Sequence, residues 1–309
     1  MTTATSTRVA RAAIHTANVV VDVVVLVVVA ALVAFSCYTI WDSRQVVLAA
    51  SATQYAPYKP SAANPPAADG TPPLAQLQAI NPDVLGWLDV YDTGIDFPLV
   101  QAKDNTRYLN RDAMGKYSGA GSIFLDYPNS PHFTDFSTII FGHHMKDGAM
   151  FGPIGLFYEQ AYFDAHPYGS LYYDGVQHGL DFFAFIHTNA YDDTVYTTPV
   201  APDAEQAYIT RLMREAMFTR PDVTVGVDDH IVLLSTCSSR TTNGRDILIG
   251  KIVPDAMPDP AAAGTPTATP SIDGVPNVWV KFPLWAKLTV LTIPWILLLI
   301  LLRLKRRNR

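Results

Sequence analysis

Charge and cysteine are both scarce in this chain. Of its 309 residues only 16% are charged, and only two are cysteine, Cys37 and Cys237. A soluble domain carries about 25% charged residues. Two cysteines exclude a disulfide-built scaffold and structural zinc held by cysteine pairs. The chain is not short of apolar residues, at 49%, which excludes wholesale disorder. Its mean hydropathy of +0.13 lies between that of a soluble enzyme and that of a polytopic transporter. A soluble body with membrane-spanning sequence attached would give such an average.

The apolar excess sits at the two ends. Val19 to Phe35 is nearly all Val, Ala and Leu, broken only by Asp22. Extended to residue 40, it reaches the roughly 20 residues that cross a bilayer. The alternative for this run is a cleaved signal peptide. It is longer than the usual 7–15-residue signal core, and the nearest small-x-small site, Ala50-Ser51-Ala52, lies well beyond it. An uncleaved span over 18–40 is therefore expected. The second run, Leu284 to Leu302, carries Trp285 and Lys287 near its outer end, is preceded by Trp279 and is followed by five basic residues within 303–309. A second span over 282–302 follows. Arg8 and Arg11 precede the first span, so the positive-inside rule places 1–17 and 303–309 in the cytoplasm and everything between the spans outside. Residues 42–280 hold 13 Lys and Arg against 27 Asp and Glu, a net charge of −14. An acidic body excludes a nucleic-acid partner, which needs a basic footprint.

Two Pro- and Ala-rich stretches, 41–73 and 255–281, read as extended, weakly structured spacers around one body at 74–254. Short β-branched or aromatic runs bounded by turn residues predict strands at 84–90, 97–101, 122–126, 137–142, 170–173, 180–187, 223–227, 230–236 and 246–253. Such a series reads as mainly β, a barrel or sandwich. One helix is expected over 203–218, with Asp203 and Gln206 as a capping box. Shorter helices are expected at 74–80 and 154–163.

Cys237 is the only cysteine outside the apolar runs, and it ends the strand-like run His230-Ile231-Val232-Leu233-Leu234-Ser235-Thr236-Cys237. The competing reading is a small buried hydrophobe. A thiol at a strand end opening onto the polar stretch 238–244 fits a nucleophile better. A thiol nucleophile needs a base or a cation nearby. His143-His144 follows another strand, and neighbouring residues on a strand point to opposite faces, so joint chelation of a metal is not expected. Arg245 opens the next strand. A 238–244 hairpin loop would bring it to the same sheet end as Cys237, where it can stabilise an oxyanion.

With these residues in view, the sequence resembles the sortases, and among them class B. The resemblance rests on Leu234-Ser235-Thr236-Cys237 with Arg245, on Phe141-Gly142-His143-His144-Met145, and on Val100-Gln101-Ala102-Lys103-Asp104-Asn105. It rests too on Gly121-Ser122-Ile123-Phe124-Leu125-Asp126-Tyr127 and His166-Pro167-Tyr168, all in one order across 74–254. It implies a closed β-barrel of about eight strands with a few short helices, here flanked by two transmembrane helices. It implies transpeptidation outside a Gram-positive membrane, with Cys237 as nucleophile, His143 as general acid and base, and Arg245 as oxyanion or substrate support. Asn105, Leu109, Ser235 and Thr236 match substrate-groove positions. The implied partners are surface proteins or pilins bearing a sorting signal, and an amine from a cell-wall precursor or a pilin lysine. No metal or organic cofactor is implied. The chain departs from class B at His144, where Asn is usual, and in its second span, which is more typical of class C. A hydrolytic cysteine peptidase and a membrane-tethered adhesion or scaffold domain are the alternatives.

Overall fold

In a computed structural model of the chain, the structure describes residues 2–61, 64–145 and 148–259. The second apolar run, the basic tail and the spacer from residue 260 onward lie outside the described residues.

Nine strands form one sheet, and eight of them close a barrel. They are β1 (Val84–Val90), β2 (Ile95–Val100), β3 (Ile123–Leu125), β4 (Ser137–Phe141), β5 (Tyr168–Tyr173), β6 (Val176–Asn189), β7 (Ala216–Thr219), β8 (Ile231–Cys237) and β9 (Gly244–Val253). The order runs β5-β1-β2-β3-β4-β8-β9-β6, and β6 pairs back onto β5. β6 is long enough to serve two partners on one edge. Its first half pairs with β5 and its second half with β7, while β9 lies along its other edge. Two neighbours are parallel, β2–β3 and β4–β8; the other pairs are antiparallel.

The continuous apolar runs follow from burial on both sheet faces. Along β8, Val232 and Leu234 enter the larger core cluster, while Ile231 and Leu233 enter a smaller one with Tyr208, Ile209 and Leu212 of α4 (Glu205–Glu215). Ile140 and Ile139 divide in the same way on β4, as do Leu248 and Ile249 on β9. This alternation separates an inner face from an outer, α4-covered face, and it governs where each polar residue at the strand ends points.

Some expectations are corrected. Residues 223–227 form no strand. Val223 and Val225 lean on the smaller cluster without a ladder partner, and the alternation reflects that contact alone. The strand of this region is β7, which takes the last three residues, 216–218, from the expected helix because Ala216 turns to φ −63°, ψ 132° and pairs with β6. No capping box forms. Asp203 lies within a turn closed by Ala204 N–H to Ala201 O (2.8 Å), and the helix starts after Ala204 without a side-chain cap. The expected 154–163 helix is two pieces, a 3-10 helix at Gly152–Tyr158 and α3 at Gln160–Ala165. Helix α2 (Pro73–Ile80) matches its expectation.

At the N-terminus, α1 runs from Thr2 to Ala49, longer than the expected span, and its stretch Ala10–Trp41 is long and apolar enough to cross a membrane. Most Val and Leu side chains of that stretch are exposed, as a bilayer-facing helix requires. The first spacer is not extended throughout. A 3-10 helix spans Ala52–Tyr58, Tyr55 is buried with its hydroxyl accepting Ala113 N–H (3.3 Å), and Lys59 Nζ bridges Asp89 (2.6 Å) and Asp96 (2.9 Å) on β1 and β2.

Candidate active site

The parallel pair β4–β8 and the antiparallel pair β8–β9 bring three sequence segments to one sheet end. In the β4–β8 register Phe141 stands beside Ser235, and Gly142 N–H continues the ladder to Ser235 O (3.2 Å). Parallel strands finish at the same end, so two more residues along each chain place His143 level with Cys237. On the other side Cys237 is the direct cross-strand partner of Arg245. Directly opposed residues share a sheet face, so thiol and guanidinium stand on the same side.

All seven residues singled out from the sequence line one groove of about 230 Å³: Asn105, Leu109, His143, Ser235, Thr236, Cys237 and Arg245. The face parity of Ser235, Cys237 and Arg245 puts it on the outer side of the barrel, with Thr236 of the opposite parity, and the crossover between β2 and β3 bounds it. Cys237 is exposed, whereas Ser235 and Thr236 are buried in the groove floor. Thr236 Oγ1 donates to Gly142 O (2.8 Å), locking the two strand ends together. Arg245 Nη1 donates to Gly244 O (3.0 Å).

The His143 ring is fixed at one edge. Its Nε2 lies 2.9 Å from Leu109 O. A carbonyl can only accept, so Nε2 carries a proton in this contact and Nδ1 is left to exchange the second. Gly121, at φ +63°, makes room on that side. A Cβ there would fall 2.6 Å from Tyr108 O, 2.8 Å from Leu109 O and 3.0 Å from His143 Cδ2. His144 goes the other way. It leaves the groove and sits half-buried, where desolvation holds its imidazole below the usual histidine value and the Asp246 carboxylate pulls weakly upward.

Asn105 is held as firmly. Its Nδ2 donates to Asp126 Oδ1 (2.5 Å), and its Oδ1 accepts from Tyr127 N–H (3.0 Å). The other Asp126 oxygen accepts from Thr198 Oγ1 (2.7 Å), so one buried carboxylate joins the Asn105 wall to the β6–α4 loop.

The residue sequence reasoning missed is Tyr196, in that loop. Its hydroxyl lies 2.8 Å from Ser235 Oγ, and its ring stacks on Phe141 at 6.2 Å. Burial pushes the phenol up to about 12, against smaller opposing effects from Ser235 and Arg245, so it stays neutral. Phe124 and Phe141 supply the apolar lining. The loop around Tyr196 carries no periodicity or motif that would have marked it. The described residues contain no cluster of His, Cys, Asp and Glu arranged to hold a metal ion.

A strand-end thiol beside an arginine, with an imidazole level with it on the neighbouring strand, can run acyl transfer through a thioester. No protein-family model matches the chain. Individual proteins do. The chain is 36% identical over 185 residues to sortase B of Listeria monocytogenes, covering 58% of this chain and 74% of that protein. Against sortase B of Staphylococcus aureus the identity is 30% over 185 residues, covering 59% and 75%. Among solved structures, sortase B from the type II pilus of Streptococcus pneumoniae superimposes with a TM-score of 0.52 at 46% identity, covering 59% of this chain and 98% of that one. The mainly-β barrel closed by eight strands, the ordered motifs and these relatives agree: the chain belongs to the class B sortases and is a cysteine transpeptidase.

Proposed function

We propose that Cys237 is the nucleophile, His143 the general acid and base, and Arg245 the oxyanion support of this transpeptidase. The register that sets Cys237 between His143 and Arg245 at one sheet end carries this reading. Cys237 gives its thiol proton to His143, and the Sγ thiolate attacks the carbonyl carbon of the scissile bond in a C-terminal sorting signal. Arg245 and backbone N–H groups hold the tetrahedral oxyanion. His143 gives a proton to the departing amine as the C–N bond breaks, leaving a thioester. An incoming amine then attacks the thioester, His143 takes its proton, and the thiol is regenerated as the new amide forms. Asn105, Leu109, Ser235 and Thr236 bind the peptide along the groove. The fixed Asn105 amide keeps one N–H for a substrate oxygen, because only one of its two is donated to Asp126.

The substrates are surface proteins or pilins carrying the sorting signal, and the acceptor is an amine of a cell-wall precursor or a pilin lysine. Pilus association of the Streptococcus pneumoniae relative supports the second pairing. The enzyme is a two-pass membrane protein. Helix α1 and the run at 282–302 anchor it, both termini are cytoplasmic, and the acidic body lies outside. The decisive experiment incubates the full chain in detergent with sorting-signal peptides, with and without amine acceptors, and follows products by mass spectrometry. An amide product that needs the amine is expected; hydrolysis whatever the acceptor would overturn the transfer. Labelling of Cys237 by a membrane-impermeant thiol reagent on intact cells tests the topology, and protection would reverse it.

A further inference from the structure

Behind the groove, on the inner face at this end of the sheet, lies a second set of polar residues, drawn from β6 and β9 and from the end of β4, that the proposed chemistry does not use. Asp246 follows Arg245 and therefore points inward. It is 1% exposed, and its Oδ1 accepts from His187 Nδ1 on β6 at 2.7 Å. With Nδ1 donating, the neutral ring offers Nε2 as acceptor, and Thr241 Oγ1 stands 3.2 Å from it. Thr241 belongs to the loop 238–243, which with Gly244 makes the whole connection between Cys237 and Arg245. That loop is tied down at several other points. Ser238 N–H reaches Gly244 O (2.8 Å), Gly244 N–H reaches Thr241 O (3.1 Å), and Ala190 N–H reaches Asn243 O (2.8 Å). Arg240 lies over the Tyr158 ring at 4.1 Å, and that ring meets His187 edge-on at 5.8 Å. Gly244 permits the close approach, since a Cβ there would fall 2.1 Å from Thr241 Oγ1 and 3.0 Å from His187 Cε1. His144 completes the inner set. Its Nδ1 is buried without a hydrogen-bond partner among the described residues, and its ring and Asp246 Oδ2 both border Gly155.

We propose that Asp246 and His187 form a positioning pair that fixes Thr241, and through it the loop that sets Cys237 and Arg245 opposite one another. A buried carboxylate is costly unless paired and hydrogen-bonded. Here the pairing runs outward through one imidazole to the loop whose conformation the reaction depends on. The inference rests on reading Cys237 and Arg245 as the reacting pair, and its test needs no sorting peptide.

The test measures how far Arg245 assists the thiol. In the full chain in detergent, with Cys37→Ser so that Cys237 is the one thiol, the rate of alkylation by iodoacetamide is read at neutral pH. Arg245→Gln removes the cation beside the thiol and is expected to slow alkylation about threefold. With Asp246→Asn already present, Arg245→Gln is expected to change the rate hardly at all. The same loss of coupling is expected with Thr241→Val, which touches no buried charge and so keeps the test open if Asp246→Asn fails to fold. His187→Gln, whose amide can donate to Asp246 and accept from Thr241, is expected to restore the coupling that His187→Ala removes. An equal Arg245 effect in every background overturns the positioning role. No Arg245 effect in the parent overturns the pairing and the proposal with it. Failure of the transfer reading would show separately, in the peptide and acceptor assay.

Discussion

The outer and inner faces at this end of the sheet hold opposite chemistry, and in two places the sets are one residue apart in sequence, Arg245 beside Asp246 and His143 beside His144. On the outer face Cys237, Arg245 and His143 open onto a groove. On the inner face Asp246 and His187 are hydrogen-bonded to one another, and His144 is half-buried with its Nδ1 unpartnered among the described residues. The period-two alternation of a strand is enough to keep a reactive set and a holding set apart while sharing their backbone. The difference teaches that neighbours in sequence should respond very differently to substitution, and this can be broken experimentally.

The largest effect is expected at Cys237→Ala. No thioester or amide product should form in the peptide assay, while circular dichroism stays that of the parent. His143→Ala should follow, with a loss of about 10²–10⁴-fold in turnover, the usual range for a missing acid–base group. Its neighbour sharpens the contrast, since His144→Ala should alter turnover by no more than about threefold. If His144→Ala is the more damaging of the two, the acid–base role belongs to the inner ring and the comparison collapses.

Smaller effects probe the inner face. Gly244→Ala should destabilise the fold by about 1–3 kcal/mol in chemical denaturation, because the added Cβ meets Thr241 Oγ1 and the His187 ring. An unchanged midpoint would mean that the loop is not pressed onto that ring. The smallest expected effect is a pH dependence. Burial holds His144 below its usual 6.5, with Asp246 the charge that opposes this. The unfolded chain therefore takes up the proton first. The stability linked to this ring is fully present above pH 6.5 and is lost as pH falls through that value. The melting temperature should drop between about pH 7 and pH 5, and His144→Gln should flatten part of that drop. An identical profile in the variant would place the acid sensitivity elsewhere.

Much of the groove was legible because its residues sit at strand ends whose apolar runs are strong. The run 231–237 is continuous because β8 is buried on both faces, and Cys237 marks where that burial stops. The adjacency of His143 to Cys237 was not derivable from local pattern. It depends on a parallel pairing across a connection of nearly 90 residues, and only the family resemblance pointed to it. Tyr196 was invisible for a related reason, as a loop residue buried by tertiary packing rather than by any period of its own. Asp203 and Gln206 showed the right types for a capping box, yet an upstream turn moved the helix start past Asp203. The Val223–Val227 alternation was real, but a period of two reports a half-buried extended chain and not a ladder partner.

The anchoring of Tyr55 and Lys59 has a mechanical consequence. Helix α1 ends at Ala49, and the 3-10 helix that docks on the barrel begins at Ala52. The two residues between them span at most about 7 Å. With α1 in a bilayer, the enzyme has almost no leash on this side, and its groove travels at a nearly set height above the lipid.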